Sequence, residues 1–252
     1  MGGYIDPVQR VVDDAYKRTK GPVAFLDESY QAPANGTHRG SFYVLTAVLV
    51  AVKDMDTLRT GLGEIAGSDY WHTCDALQTD DGRALTQEML DYLAEGVEPC
   101  VVAHRVNVDA EDADAEGARR ECYHALAVEL AAGRPGVWDA VDLLILEERN
   151  QSNFKNKDQL NHKELISAGR VPRQTRLVQI SPACERLLWL PDLVAAAYRR
   201  TITHSDRSLF DVIKDQTHFV ALPTPQSGHP TPEMKQPPAA VATPRARPTV
   251  EA

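Results

Sequence analysis

The stretch Val23-Ala24-Phe25-Leu26-Asp27-Glu28 decides how this 252-residue chain is read: four apolar residues and then two acids. The same pattern returns at Leu143-Leu144-Ile145-Leu146-Glu147-Glu148. Short apolar runs of this kind read as strands buried on both faces, the habit of a sheet covered by helices on each side. Side chains alternate along a strand, so Asp27 shares a face with Val23 and Phe25, and Glu147 shares one with Leu143 and Ile145. If the two strands are parallel neighbours, both acids emerge at one carboxyl edge, where open α/β sheets place their sites. Two carboxylates there repel each other, and a hard divalent cation with oxygen ligands relieves the repulsion. The competing reading is that each strand ends in polar residues because it meets solvent. Spacing alone does not separate the two.

Outward from these runs the chain alternates strand and helix. Further strands are predicted over residues 42–52, 97–108 and 175–180. Helices are predicted over 7–19 (Val8, Val11, Val12 and Tyr16 on one face), 55–65, 82–95, 114–132 and 185–203, the last broken or restarted at Pro191. This is the pattern of an α/β fold with helices flanking the sheet. Eight of the sixteen prolines fall within residues 222–252, among Ala, Thr and Gln. Such a composition cannot bury enough apolar surface to offset its ordering entropy, so the expected organisation is one domain over 1–221 and a disordered tail over 222–252.

Hydrophobic residues are 43% and charged residues 25%, an ordinary globular balance. The 36 acids against 27 bases, a formal charge of −9, exclude a protein that holds nucleic acid by overall charge, though not one with a local basic track. Seven of the bases gather in residues 149–176, directly after the Glu147 strand, against only Asp158 and Glu164. Arg149, Lys155, Lys157 and Arg173 are therefore candidates for guiding a phosphate backbone to the acids, although charge runs are commonly just solvated surface. The run of Asp109, Glu111, Asp112, Asp114 and Glu116 reads as a helix start. Cys74, Cys100, Cys122 and Cys184 are widely spaced and form no C-x-x-C pair, which points to buried, reduced thiols. No basic-then-apolar leader and no apolar run of membrane-spanning length is present, so the expectation is a soluble cytoplasmic protein with no membrane partner. Phosphate-binding G-x-x-x-x-G-K-[ST] and dinucleotide-binding G-x-G-x-x-G loops are missing, as is the P-C-x-x-C of zinc deaminases.

A third acid is Asp192, in Leu190-Pro191-Asp192-Leu193-Val194. Pro191 suits the first position of a helical segment, which puts Asp192 in a first turn, where the helix dipole favours an anion. Ala195 and Ala196 on the same helix are small enough to let that acid approach a sheet edge.

Phe25-Leu26-Asp27-Glu28-Ser29, the apolar strand from Phe42, the Leu146-Glu147 strand end and Leu190-Pro191-Asp192-Leu193-Val194 together resemble an uncharacterised bacterial and phage family. That family opens with an Asp-Glu-Ser-Gly strand, closes with a Leu-Ala-Asp-Leu-Val helix, and is assigned to the ribonuclease H-like superfamily. Trp71-His72, followed by Asp75-Ala76-Leu77, is similar to that family's internal His motif. The chain departs from the pattern at Tyr30, in place of Gly, at Pro191, in place of Ala, and at Glu148, a second acid after Glu147. Either Glu147 or Glu148 fits, with Glu147 matching the strand-end position.

The resemblance implies a ribonuclease H-like mixed sheet and two-metal hydrolysis of phosphodiester bonds in nucleic acid. Two Mg²⁺ or Mn²⁺ ions about 4 Å apart would be held by Asp27, Glu147 and Asp192, one activating water and the other stabilising the leaving 3′ oxygen. It also implies a role for His72, which shuttles a proton or orients a phosphate, or else is a partly buried polar neighbour of Trp71. Glu28, which alternation points away from Asp27, is read as holding a base or a metal-bound water beside the centre. Two other functions stay open: a catalytically silent protein that binds nucleic acid or a protein partner, and a metal-dependent phosphohydrolase of small nucleotides.

Overall fold

A computed structural model describes residues 7–33, 40–149 and 152–222; residues 223–252 of the predicted tail lie outside these, as does Asn35-Gly36-Thr37, which the sequence predicts to be a turn. Among the described residues a six-stranded mixed sheet runs in the order β5-β4-β1-β2-β3-β6. The strands are β1 (Val23–Gln31), β2 (Phe42–Val50), β3 (Cys100–Val106), β4 (Leu143–Glu147), β5 (Arg176–Ile180) and β6 (Thr217–Val220). β1, β2 and β3 are antiparallel in turn, while β4 lies parallel to β1, β5 to β4, and β6 to β3. The helices are α1 (Pro7–Arg18), α2 (Met55–Ala66), α3 (Thr73–Ala76), α4 (Asp80–Glu95), α5 (Glu116–Ala132), α6 (Ser152–Ser167), α7 (Trp189–Thr203) and α8 (Phe210–Ile213).

The apolar runs do what their composition requires. All nine residues of β2 are buried, its even-numbered residues facing one layer and its odd-numbered residues the other. One core contains Val23, Phe25, Val44, Val48, Leu143 and Ile145 under α2, α4 and α7. The second contains Ala24, Leu26, Tyr43, Leu45, Leu144 and Leu146 under α5 and Leu165 of α6. Helices thus cover both faces of the sheet. Asp27 and Glu147 continue the first face, as strand alternation requires.

Several expectations need correction. β1 does not end at its acids but continues to Gln31, because β2 offers it a partner along its whole length. Val97 is 86% exposed and precedes β3, and Val11 is 56% exposed, so only Val12 and Tyr16 of the latter's predicted stripe turn inward among the described side chains. Pro191 is the third residue of α7, which begins at Trp189; its missing N–H is still within the first turn, where no carbonyl awaits it. Cys100 and Cys122 are buried, whereas Cys74 is half-buried and Cys184 exposed; all four are free. The acidic run does start a helix: Asp112 accepts hydrogen bonds from the backbone N–H of Gly117 (2.9 Å) and Ala118 (2.8 Å). Among the described residues no helix is long and apolar enough to cross a membrane.

Candidate active site

β1 and β4 pair from Val23 with Leu143 to Leu26 with Leu146. There β4 has one residue left, Glu147, while β1 runs on beside β2. Asp27 and Glu147 are consequently the first residues beyond the shared ladder, on the same face, at the notch where one strand stops and its neighbour continues. Asp192 descends on this notch from the first turn of α7. The Thr46 hydroxyl, buried in the otherwise apolar β2, lies 2.9 Å from the carbonyl of Pro191 and 3.2 Å from that of Asp27, tying α7 to the strand at this point. Ala195, Ala196 and Ala197, all buried, allow the close approach.

Asp27, Glu28, Glu147, Glu148 and Asp192 border one open cleft of about 550 Å³, together with His72, Cys74, Arg149, Arg199 and Tyr30. Asp27, 8% exposed, is pushed far above the ordinary carboxylate range, first by burial and then by Glu147, Asp192 and Glu28. Glu147 is pushed up to about 7 by burial, Asp192 and Glu28, partly offset by a hydrogen bond with the Asp27 side chain. Asp192 is raised by burial and pulled back by hydrogen bonds from Thr73, whose backbone N–H lies 2.8 Å from Oδ2. That bond also holds the Trp71-His72-Thr73 segment against α7. His72 is at the rim, its Nδ1 3.1 Å from Asp75.

The remaining sequence candidates divide by what they touch. Glu28 faces the opposite side of β1 and pairs with Arg119 at 2.5 Å; Arg119 also binds Asp158 through Nε (2.7 Å) and Nη2 (2.9 Å). Glu28 is thus both a wall of the cleft and one half of a buried ion pair, and its charge reaches Asp27. Lys155 is bound to Glu148 at 2.7 Å, which leaves Glu147 as the member of that acid pair committed to Asp27. Arg149 borders the cleft but is engaged by Glu116, as is Lys157 at 3.5 Å. Arg173 is misplaced by reading along the chain. It lies in the turn leading into β5, whose first residue, Arg176, pairs with Leu143, whereas Glu147 pairs with Ile180. Four residues of strand, about 13 Å, separate those two ends.

Arg199 was not among the sequence candidates, yet it borders the cleft seven residues after Asp192, two turns along α7, with its guanidinium 5.8 Å from the Phe42 ring. The signal was there as Asp192, Ala196 and Arg199 on one helical face, hidden because arginines at a helix C-terminus are expected for the dipole alone. The Cys74 thiol is pushed up by burial and then by Asp192, which disfavours the thiolate a cysteine nucleophile needs.

Among the described residues no three His, Cys, Asp or Glu side chains are gathered as a ready-made cage for an ion. The donor set fits a different kind of site. Mg²⁺ keeps several waters and is held through one or two carboxylates plus substrate phosphates, and the Asp27–Glu147 pair with Asp192 beside it supplies hard oxygen ligands of that kind. Comparison with models of protein families, with curated proteins and with solved structures returned no match.

Proposed function

We propose that this chain is a divalent-metal-dependent nuclease built on a ribonuclease H-like α/β scaffold. The observation that carries this reading is the Asp27–Glu147 pair: two carboxyl groups at the carboxyl edge of the sheet, given each other and Asp192 rather than arginine or lysine. Acids from the first strand, a later strand and a late helix are also the distribution the resemblance implies. Mg²⁺ or Mn²⁺, when bound, supplies charge neutralisation and activation of water for phosphodiester hydrolysis.

The chain's own residues do the rest. Asp27 and Glu147 would hold the cation through their carboxylate oxygens, giving up whatever proton their raised affinity retains. Asp192 is kept in place by Thr73 and, through Pro191, by Thr46. His72 faces the cleft with Nδ1 held by Asp75, leaving Nε2 to exchange a proton with the attacking water or the departing oxygen.

Incubation with single-stranded, duplex and hybrid oligonucleotides in Mg²⁺ or Mn²⁺ tests the reading. Metal-dependent cleavage that disappears in Asp27→Asn is expected; cleavage that survives this change removes the assignment. Hydrolysis of mononucleotides with none of polymers selects the small-nucleotide phosphohydrolase instead. Salt-dependent binding of polymer with no turnover selects the silent binding protein.

A further inference from the structure

The acid cleft does not stand alone. A second cleft of about 400 Å³ adjoins it and shares Cys74, Ala196 and Arg199 with it; its other walls include Gln78, Arg83, Arg200, Thr203 and His204. The wall of the first cleft is dominated by carboxylates, whereas three arginines line the second. A phosphate chain therefore meets repulsion at the acids, unless cations are present, and attraction one step away along α7. Arg83 is bound to Asp80 (2.7 Å) and Arg200 to Asp206 (2.6 Å), while Arg199, common to both clefts, makes no ion pair among the described residues. Seven residues of helix put it about 10 Å from Asp192 along the α7 axis. Tyr30 lies on the Glu28 face of β1, opposite Asp27 and Arg199, and borders the acid cleft from that side, at the strand edge that β4 leaves free beyond Leu146. It is 44% exposed, and its ring is stacked on Tyr43 at 5.6 Å between centroids, so an exposed aromatic ring is held in a fixed orientation.

We propose that a single nucleic-acid strand passes over the free edge of β1 at the acid pair, with a phosphate on Arg199 and its backbone continuing into the Arg83–Arg200 groove on one face, and an unstacked base laid on Tyr30 on the other. This inference rests on the nuclease reading and names its substrate class. An aromatic platform takes any base, but only one that has left its neighbours, as single strands permit; a duplex keeps its bases stacked inside and offers the walls phosphates alone. Arginine suits the phosphate position because its planar fork binds two oxygens at once.

Fluorescence anisotropy with a 20-nucleotide thymidine strand and a 20-base-pair duplex tests it, in Ca²⁺ to hold the acids' charge, over a series of salt concentrations. The single strand is expected to bind at least tenfold more tightly than the duplex. Arg199→Ala is expected to weaken single-strand binding about tenfold and to flatten the salt slope by about 0.7, with Arg199→Lys recovering most of the affinity. Tyr30→Ala is expected to cost roughly fivefold or more for the single strand and nothing for the duplex, and Tyr30→Phe to behave as wild type. Arg173→Ala is expected to change affinity less than twofold. Equal affinity for strand and duplex, or indifference to both Arg199→Ala and Tyr30→Ala, overturns the proposal. If wild type then still cleaves oligonucleotides in Mg²⁺, the nuclease reading stands and only the path is wrong; a wild type that neither binds nor cleaves any polymer removes both.

Discussion

Asp27 and Glu28 are neighbours in the chain and opposites in their surroundings. On one face of β1, Asp27 meets Glu147 and Asp192, and its carboxyl is held far above its ordinary range. On the other face, Glu28 meets Arg119, which is itself clamped to Asp158 by two hydrogen bonds and donates to the Tyr43 hydroxyl at 2.6 Å. Beyond these, His162 joins Tyr123 (2.8 Å) to the carbonyl of Thr175 (3.0 Å), extending the polar network of that face. A buried acid provided with an arginine is part of the architecture. A buried acid provided only with other acids is costly to ionise, and its arrangement makes sense when a cation completes it.

Breaking the paired face produces the largest effect on stability. Arg119→Ala removes the guanidinium that pairs Glu28 and makes both close bonds to Asp158, leaving Asp158 only Arg149 at 4.0 Å, and urea unfolding should show a loss of about 3–5 kcal/mol. The acid face responds in the opposite direction. Asp27→Asn keeps a hydrogen-bond donor to Glu147 while removing a charge, so the metal-free variant should melt higher at pH 8, by on the order of 1–2 kcal/mol or about 3–6 °C, even as metal-dependent cleavage disappears. A lower melting temperature would place Asp27 with the structural acids.

The pH dependence sharpens the contrast. Glu147 has a folded-state value raised from 4.5 to about 7, so the folded protein binds more protons than the unfolded chain between these values. Its contribution is fully present below 4.5 and lost as pH rises through about 7. Metal-free protein should therefore lose melting temperature across that window, and Glu147→Gln should flatten the decline. The smallest effect is expected at Thr46, which joins the site to its scaffold: Thr46→Val should cost about 1–2 kcal/mol by leaving the Pro191 carbonyl short of a partner, and should weaken cation affinity several-fold as α7 loosens from β1.

Much of the candidate site was legible in the sequence, for identifiable reasons. Alternation placed Asp27 and Glu147 on one face provided that their strands were parallel neighbours, a condition the residues alone left open and the observed register meets. Asp192 was legible through its first-turn position and the small residues that follow. Arg173 was not, because nearness in the chain says nothing about which end of a parallel strand a residue reaches. The Arg119 network was hidden for a related reason: its partners Glu28, Tyr43 and Asp158 come from three other elements, and only the fold brings them together. β6, four residues at the sheet edge, is too short to show a period.

The central claim is that Asp27 and Glu147, held above the ordinary carboxylate range by burial and by each other, take up a divalent cation in exchange for a proton. Calorimetric titration with Mg²⁺ and with Mn²⁺ at pH 7, in two buffers of different ionisation enthalpy, counts the protons released for each ion bound. Saturable binding with release of close to one proton, lost in Asp27→Asn, is the predicted result; no binding, or binding with no proton released and no change in the variant, would contradict it.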